Sequence, residues 1–408
     1  MLLQQAKVLD QADGLAKFQQ AFALPKGKVY LCGHSLGPMP IKLFDRLPLE
    51  LRKWAEQGVE GHFTEPNPWV SVNETCVDSM ARLVGARAGE VAVMNSLTVN
   101  LHLLLTSFYT PRPGRGKILM ERNAFPSDLY CVHSHVQSRG LDPSSTVVLV
   151  DNVLDVLRAS KSFDNEICLC FVGGVNYQTG EVYAMQEMAK LCAERGVVFG
   201  LDLAHAAGNV PIELHEWGVD FAAWCTYKYL NSGPGGIACA FVHDKHASTK
   251  MNRLAGWWGN RAQTRFEMKP QLEPEIGAMA WQVSNPPVLQ IVSLRTSLDV
   301  FDQVPLQDLF AKSKRLTGFL DQALHAELPK GSWQCLTPQH NRGCQLSLVF
   351  PSLSARSVFD ELSNKGIMCD FREPNIVRVA PNPLYNSFAD VAKFVSGLRA
   401  ILVAAIKL

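Results

Sequence analysis

From Val91 to Val242 the chain alternates short apolar runs with stretches of helical periodicity, and that alternation narrows the possible folds sharply. Val91–Asn95, Lys117–Met120, Thr146–Val150, Cys168–Val172, Val197–Leu203, Phe221–Cys225 and Ile237–Val242 are β-rich and lack a regular polar face. Strands of this kind are covered on both sides, and the intervening helices supply the cover. Thr98–Phe108, a segment opening at Pro126, Val153–Arg158 and Met185–Arg195 carry the helical pattern. The reading is an α/β chain with a mostly parallel sheet in its large domain. After about residue 290 helix-like Leu306–Leu320 and Ala355–Lys365 mix with strand-like Gln345–Phe350, Ile367–Phe371 and Ile376–Val379. This predicts a small α+β domain closed by a final amphipathic helix from Phe388. Residues 1–50 are expected to pack with that small domain, 51–290 to form the large one, and 291–408 the small one.

Composition removes several classes of function. The chain has 408 residues, 47% of them hydrophobic, enough for a large core in two domains. A net charge of +1 offers no electrostatic footprint for nucleic acid. The first ten residues lack the apolar core of a signal peptide, and nothing nears the apolar length of a membrane span. Eleven cysteines are scattered, mostly among apolar neighbours, with no CxxC pair. They read as reduced thiols in a cytoplasmic protein, with neither a disulfide framework nor a metal site expected.

Two residues carry chemistry. Lys228 follows the run Phe221–Cys225 and precedes a glycine-rich turn; Asp202 ends the run before it. Ligands of such sheets bind beyond the carboxyl ends of the strands. A lysine there, beside a carboxylate on the neighbouring strand, is the pair pyridoxal phosphate requires. The amine forms the Schiff base and the carboxylate keeps the pyridine nitrogen protonated. Asp202 between Leu201 and Leu203 is costly to bury without such a partner. Taken singly, other candidates have plainer readings. Ser96 or Thr98 could cap a helix, Pro126-Ser127-Asp128 could be a turn, and Arg378 could form a surface ion pair.

The motifs around this pair occur in order along nearly the whole chain. They are Tyr30–Gly37 (YLCGHSLG), Met94–His102 (MNSLTVNLH), Ala124–Asp128 (AFPSD), Gly174–Gly180 (GVNYQTG), Asp202–Gly208 (DLAHAAG), Thr226–Asn231 (TYKYLN), Gly256–Gly259 (GWWG), Ser284–Pro287 (SNPP) and Arg378–Phe388 (RVAPNPLYNSF). Together they resemble the kynureninase family, pyridoxal-phosphate hydrolases of the aspartate-aminotransferase-like fold. The resemblance implies Lys228 as Schiff-base lysine and base, Asp202 on the pyridine nitrogen, and Tyr227 on the phosphate and as proton donor. It implies Leu97 and Thr98 at the phosphate, Phe125 stacked on the cofactor ring, and Asp128 and His205 beside it. Trp257 and Asn285 would reach the site from the neighbouring subunit of a homodimer. Arg378 would bind the substrate α-carboxylate, and His62 and Asn285 would lie near its aryl ring.

The reaction implied is hydrolytic Cβ–Cγ cleavage of L-kynurenine to anthranilate and L-alanine, in tryptophan catabolism on the kynurenine pathway to NAD. Either kynurenine or its 3-hydroxy form suits this reading. His34, Gly173 and Asn260 depart from the family pattern, where asparagine, a hydroxyl residue and, in some members, histidine are expected. Two rivals remain. One is a cysteine desulfurase or selenocysteine lyase, which Tyr227 disfavours because those enzymes carry histidine before the lysine. The other is a cofactor-binding protein without catalysis. A nucleotide-dependent oxidoreductase is disfavoured because no GxGxxG follows an early strand.

Overall fold

The computed structural model describes residues 1–159, 165–247 and 250–406. The apolar runs form one sheet of seven strands: β1 (Val91–Val93), β2 (Lys117–Glu121), β3 (Val147–Val150), β4 (Ile167–Gly173), β5 (Val198–Asp202), β6 (Phe221–Cys225) and β7 (Ala238–Val242), in the order β1-β7-β6-β5-β4-β2-β3. Only β7 runs against the rest, pairing antiparallel with both β1 and β6. Every residue of β1, β6 and β7 is buried, as two covered faces demand. One apolar cluster fills the face carrying Leu201, Trp224 and Phe241. Another fills the face carrying Met120, Phe171 and Phe221.

In register, β5 and β6 are parallel, with Asp202 opposite Ala223. Both strands therefore release their chains at the same edge. Asp202 is the last residue of β5, and Lys228 follows β6 after a short bend.

A second core gathers Leu316, Leu320, Leu346, Leu348, Val377, Val379, Phe394 and Leu398 around a four-stranded sheet in which Leu346–Val349 pairs with Ile376–Val379. The helix Leu2–Gln11 packs on the final helix Phe388–Ile406, and Val29–Tyr30 pairs with Ile367–Met368. Leu15, Phe18 and Phe22, however, belong to the first core, so the amino-terminal segment bridges the two. The division expected at residue 290 falls inside the helix Val288–Phe301, whose Ile291, Leu294 and Leu298 pack into the first core. The chain passes to the second core along Leu306–Glu327.

Candidate active site

A cavity of about 320 Å³ opens at the carboxyl edge of the sheet. Leu97, Thr98, Phe125, Asp128, Asp202, His205, Tyr227, Lys228 and Arg378 all line it, with His34, Ser35, Glu121, Gly173 and Tyr177. The structure thus brings together nine of the twelve residues singled out in the sequence. Trp257, Asn285 and His62 stand outside this lining.

The helix Leu97–Phe108 begins at the cavity, and no side-chain hydrogen bond caps it. Thr98 Oγ1 instead meets Ser127 Oγ at 2.9 Å. An uncapped helix start presents free N–H groups and a positive dipole end, suited to a phosphate. Phe125 is the residue before the helix Pro126–Ser138 and remains 43% exposed, one edge against Tyr177. An open aromatic face on the wall of a polar cavity is available for stacking.

Asp202 Oδ1 accepts the Ala204 N–H at 2.7 Å. Burial pushes its carboxyl up, while the Ala204 N–H, Lys228 and a hydrogen bond with Asp128 oppose the rise. Asp128 is pushed up further, first by burial and then by Asp202 and Glu121. Both carboxyls are thus driven toward the protonated form by burial, and Lys228 opposes the rise at each. Burial, with Lys228 and Arg378 adding like-charge repulsion, keeps His205 neutral, and its Nδ1 has no hydrogen-bond partner among the described residues. Tyr227 is likewise held as a neutral phenol by burial.

Lys228 Nζ lies over the Tyr227 ring, 5.9 Å from its centroid. The lysine segment is braced from the motif at Tyr30–Gly37: the Gly37 N–H donates to the Tyr227 carbonyl at 2.8 Å. A side chain at Gly37 would collide with the Lys228 carbonyl and with Asn231, which explains the glycine.

Arg378 reaches the cavity from the second sheet and is 1% exposed. It donates to the Tyr177 carbonyl at 2.6 Å and to Ser35 Oγ at 3.2 Å, and pairs closely with Asp370. Burial opposes ionisation of Asp370, but Arg378 and the neighbouring partners hold its carboxyl below the usual range. His34 is wholly buried, neutral for reasons of burial and of the nearby Arg378, and neither ring nitrogen has a hydrogen-bond partner among the described residues.

Sequence reasoning did not select Glu121 or Asp370. Glu121 ends β2 inside the cavity, where burial and Asp202 raise its carboxyl to about 8 against the Gly173 N–H. Gly173 leaves room for it, since a Cβ there would sit 3.3 Å from Glu121 Oε1. A glutamate closing an apolar strand at the carboxyl edge was the available signal.

Two of the three residues outside the cavity are linked through a chain of aromatic rings. Trp257 is 46% exposed and packs edge-on against Phe266, which meets Phe63, the neighbour of His62. Asn285 is also exposed.

A lysine and an aspartate at or beyond the ends of adjacent parallel strands, with an uncapped helix start and an unpartnered buried histidine nitrogen, fit a pyridoxal-phosphate-dependent enzyme of the aspartate-aminotransferase-like fold. Solved structures share that fold. The Escherichia coli cysteine desulfurase CsdA superposes with a TM-score of 0.80 at 17% identity, covering 96% of this chain and 99% of its own. A C-DES lysine mutant with glycine covalently linked to the PLP cofactor gives 0.78 at 15% identity, covering 95% and 98%. A family model for the kynureninase C-terminal domain matches residues 309–398. The kynureninase of Xanthomonas oryzae pv. oryzae (strain MAFF 311018) is 44% identical over 411 residues, 97% of each chain. That of Xanthomonas campestris pv. campestris (strain B100) is 43% identical over 406 residues, 96% of each. The chain belongs to the kynureninase family, and pyridoxal 5′-phosphate is its cofactor.

Proposed function

We propose that the chain hydrolyses the Cβ–Cγ bond of L-kynurenine, or 3-hydroxy-L-kynurenine, to anthranilate, or 3-hydroxyanthranilate, and L-alanine. The observation that carries this reading is the convergence of Lys228 and Asp202 from the central sheet, and Arg378 from the second sheet, on one cavity. The family membership above selects the reaction from the many that this fold supports.

Each residue has a physical task in it. The Asp202 carboxylate, held by the Ala204 N–H, would keep the pyridine nitrogen protonated through a charge-assisted hydrogen bond. The free N–H groups at Leu97 and Thr98, with Tyr227, would bind the phosphate, and Phe125 would cover the ring. The cofactor supplies an electron sink next to the substrate α-carbon. Arg378 offers a planar fork to the α-carboxylate, and its anchors on Tyr177 and Ser35 fix the fork before substrate arrives. Lys228 Nζ would take the α-proton and return it elsewhere, and the Tyr227 phenol, kept protonated by burial, would donate to the leaving product. Water adds across the broken bond.

Trp257 and Asn285 lie outside the cavity of their own chain and in exposed loops. We therefore assign them, with His62, to the cavity of a second subunit in a homodimer. The proposal also places the enzyme in the cytoplasm, in tryptophan breakdown toward NAD. Among the described residues no helix is long and apolar enough to cross a membrane.

Lys228→Ala tests the chemistry directly. Anthranilate fluorescence with kynurenine as substrate should fall by at least about three orders of magnitude, the scale of losing a catalytic nucleophile and base. Full activity in that variant would end the reading. Running 3-hydroxykynurenine beside kynurenine in the parent enzyme assigns the preferred ring.

A further inference from the structure

At the sheet edge opposite the active site, four side chains converge where β1 begins and β7 ends. Glu90 precedes β1, His215 lies in the short helix Leu214–Trp217 between β5 and β6, and His243 and Asp244 follow β7. One ligand atom of each lies within 4.8 Å of all the others. Glu90 is 1% exposed, and the imidazole planes of His215 and His243 stack with centroids 4.8 Å apart.

The hydrogen-bond directions around His243 are the informative part. Its Nε2 lies 3.2 Å from the His215 carbonyl oxygen, which can only accept, so Nε2 carries a hydrogen. The Lys245 backbone N–H points at Nδ1 from 3.2 Å, so Nδ1 presents a lone pair. Nδ1 also lies 3.0 Å from Asp244 Oδ1 and 3.5 Å from Glu90 Oε1, and a cation bound there would take the lone pair that the Lys245 N–H now meets. Glu90 Oε1 in turn lies 2.9 Å from His215 Nδ1. Two carboxylates drawn together beside two imidazoles, with Glu90 buried, favour positive charge between them.

The distances also fit a cation. Four donors held about 2.0–2.1 Å from a tetrahedral ion stand ~3.3 Å from each other, and the three spacings above bracket that value. A ligating imidazole characteristically donates its other N–H to a backbone carbonyl, the arrangement His243 has. Glu90 is fixed by the Arg87 N–H on Oε2 at 2.8 Å and the Asp244 N–H on Oε1 at 2.8 Å. Arg87 occupies Asp244 Oδ2 and leaves Oδ1 turned inward.

We propose that Glu90 Oε1, His215 Nδ1, His243 Nδ1 and Asp244 Oδ1 bind one divalent first-row transition cation, with Zn²⁺ the best match to two imidazoles and two carboxylates. Four protein ligands make it a closed, structural site. It staples the β1–β7 edge of the sheet to the β5–β6 connection, remote from Lys228. A second group, His102, Cys131 and His135, also brings ligand atoms within 4.8 Å, but it offers three donors, and burial holds the Cys131 thiol up at about 12.

The test uses the holoenzyme after dialysis against a chelator. Zn²⁺ is titrated calorimetrically and Co²⁺ by visible absorption, in the parent, His243→Ala, Asp244→Asn and His102→Ala forms. Cofactor absorbance and kynurenine turnover report folding. The expected result is one equivalent bound by the parent and by His102→Ala, with a tetrahedral Co²⁺ spectrum lacking sulfur charge transfer and a higher unfolding midpoint. Affinity should fall on the order of 100-fold or more in His243→Ala and Asp244→Asn. Asp244→Asn is the milder change and keeps the test open should His243→Ala fold poorly. The proposal is overturned if the parent binds no Zn²⁺, which would leave a proton as the shared charge. Undiminished binding in both site variants, or binding lost only in His102→Ala, overturns it equally.

Discussion

Glu121 is a residue whose chemistry is exposed to pH. Its folded-state carboxyl stands at about 8, against an ordinary value of 4.5. The folded form therefore keeps a proton that the unfolded chain has released. Its contribution to stability is full below about pH 4.5 and is lost as pH climbs toward 8, the sense required when the native state binds more protons. Thermal unfolding of the cofactor-free enzyme at pH 5.5 and at pH 8.5 should show a drop of roughly a few kcal/mol that Glu121→Gln makes smaller, the remainder coming from the neighbouring raised carboxyls of Asp128 and Asp202. An unchanged slope in the variant would refute the assignment. Arg378→Lys tests the other end of the cavity. A point charge replaces a fork anchored on Tyr177 and Ser35, so KM for kynurenine should rise about 10- to 100-fold with a smaller change in kcat. Lys228, Asp202 and Arg378 were legible in the sequence because short motifs surround them. Asp370 and Glu121 were not, since a carboxylate at a strand end looks the same whether it faces water or a cavity.

At the scale of elements, the turn at Gly37 and the bend at Lys228 act as one unit. Gly37→Ala should push the lysine segment out of place while the sheet stays folded. The expected outcome is a loss of at least about tenfold in kcat/KM and weaker cofactor retention, read by absorbance after dialysis. The strands of the central sheet were foreseen because continuous apolar runs bounded by turns have few other readings. Helices fared unevenly. Leu43–Gln57 carries Pro48 and no side-chain cap at its start, so the usual start signal is missing, although Gly58 at positive φ marks its end. Val288–Phe301 is buried on nearly every side, with Ile291, Leu294, Thr296, Ser297, Leu298 and Phe301 all inside. A helix with no wet face has no amphipathic period to read, and its place in the first core moves the expected boundary onward into Leu306–Glu327.

At the scale of the whole molecule, the exposed seam of Phe63, Trp257 and Phe266 and the exposure of Asn285 motivate the proposed sharing of active sites between two subunits. Mixing Lys228→Ala chains with Asn285→Ala chains tests the sharing. If Asn285 serves the other subunit, each hybrid dimer has one site with both lesions and one with none. Random reassortment should then recover roughly a quarter of the parent activity from two nearly inactive preparations. Recovery no greater than the sum of the two would show that each chain serves itself. The proposal of a dimer comes from family motifs, because an exposed tryptophan carries no mark of its partner.

The cavity takes His34 from near one end of the chain and Arg378 from near the other, with Lys228 between them. A ribosome that has made only the central sheet has already produced the lysine, yet the guanidinium that would grip an amino acid is still to come. Capture of substrate thus waits for the segment that carries Arg378, and a chain stopped short of it has little means of beginning the reaction prematurely.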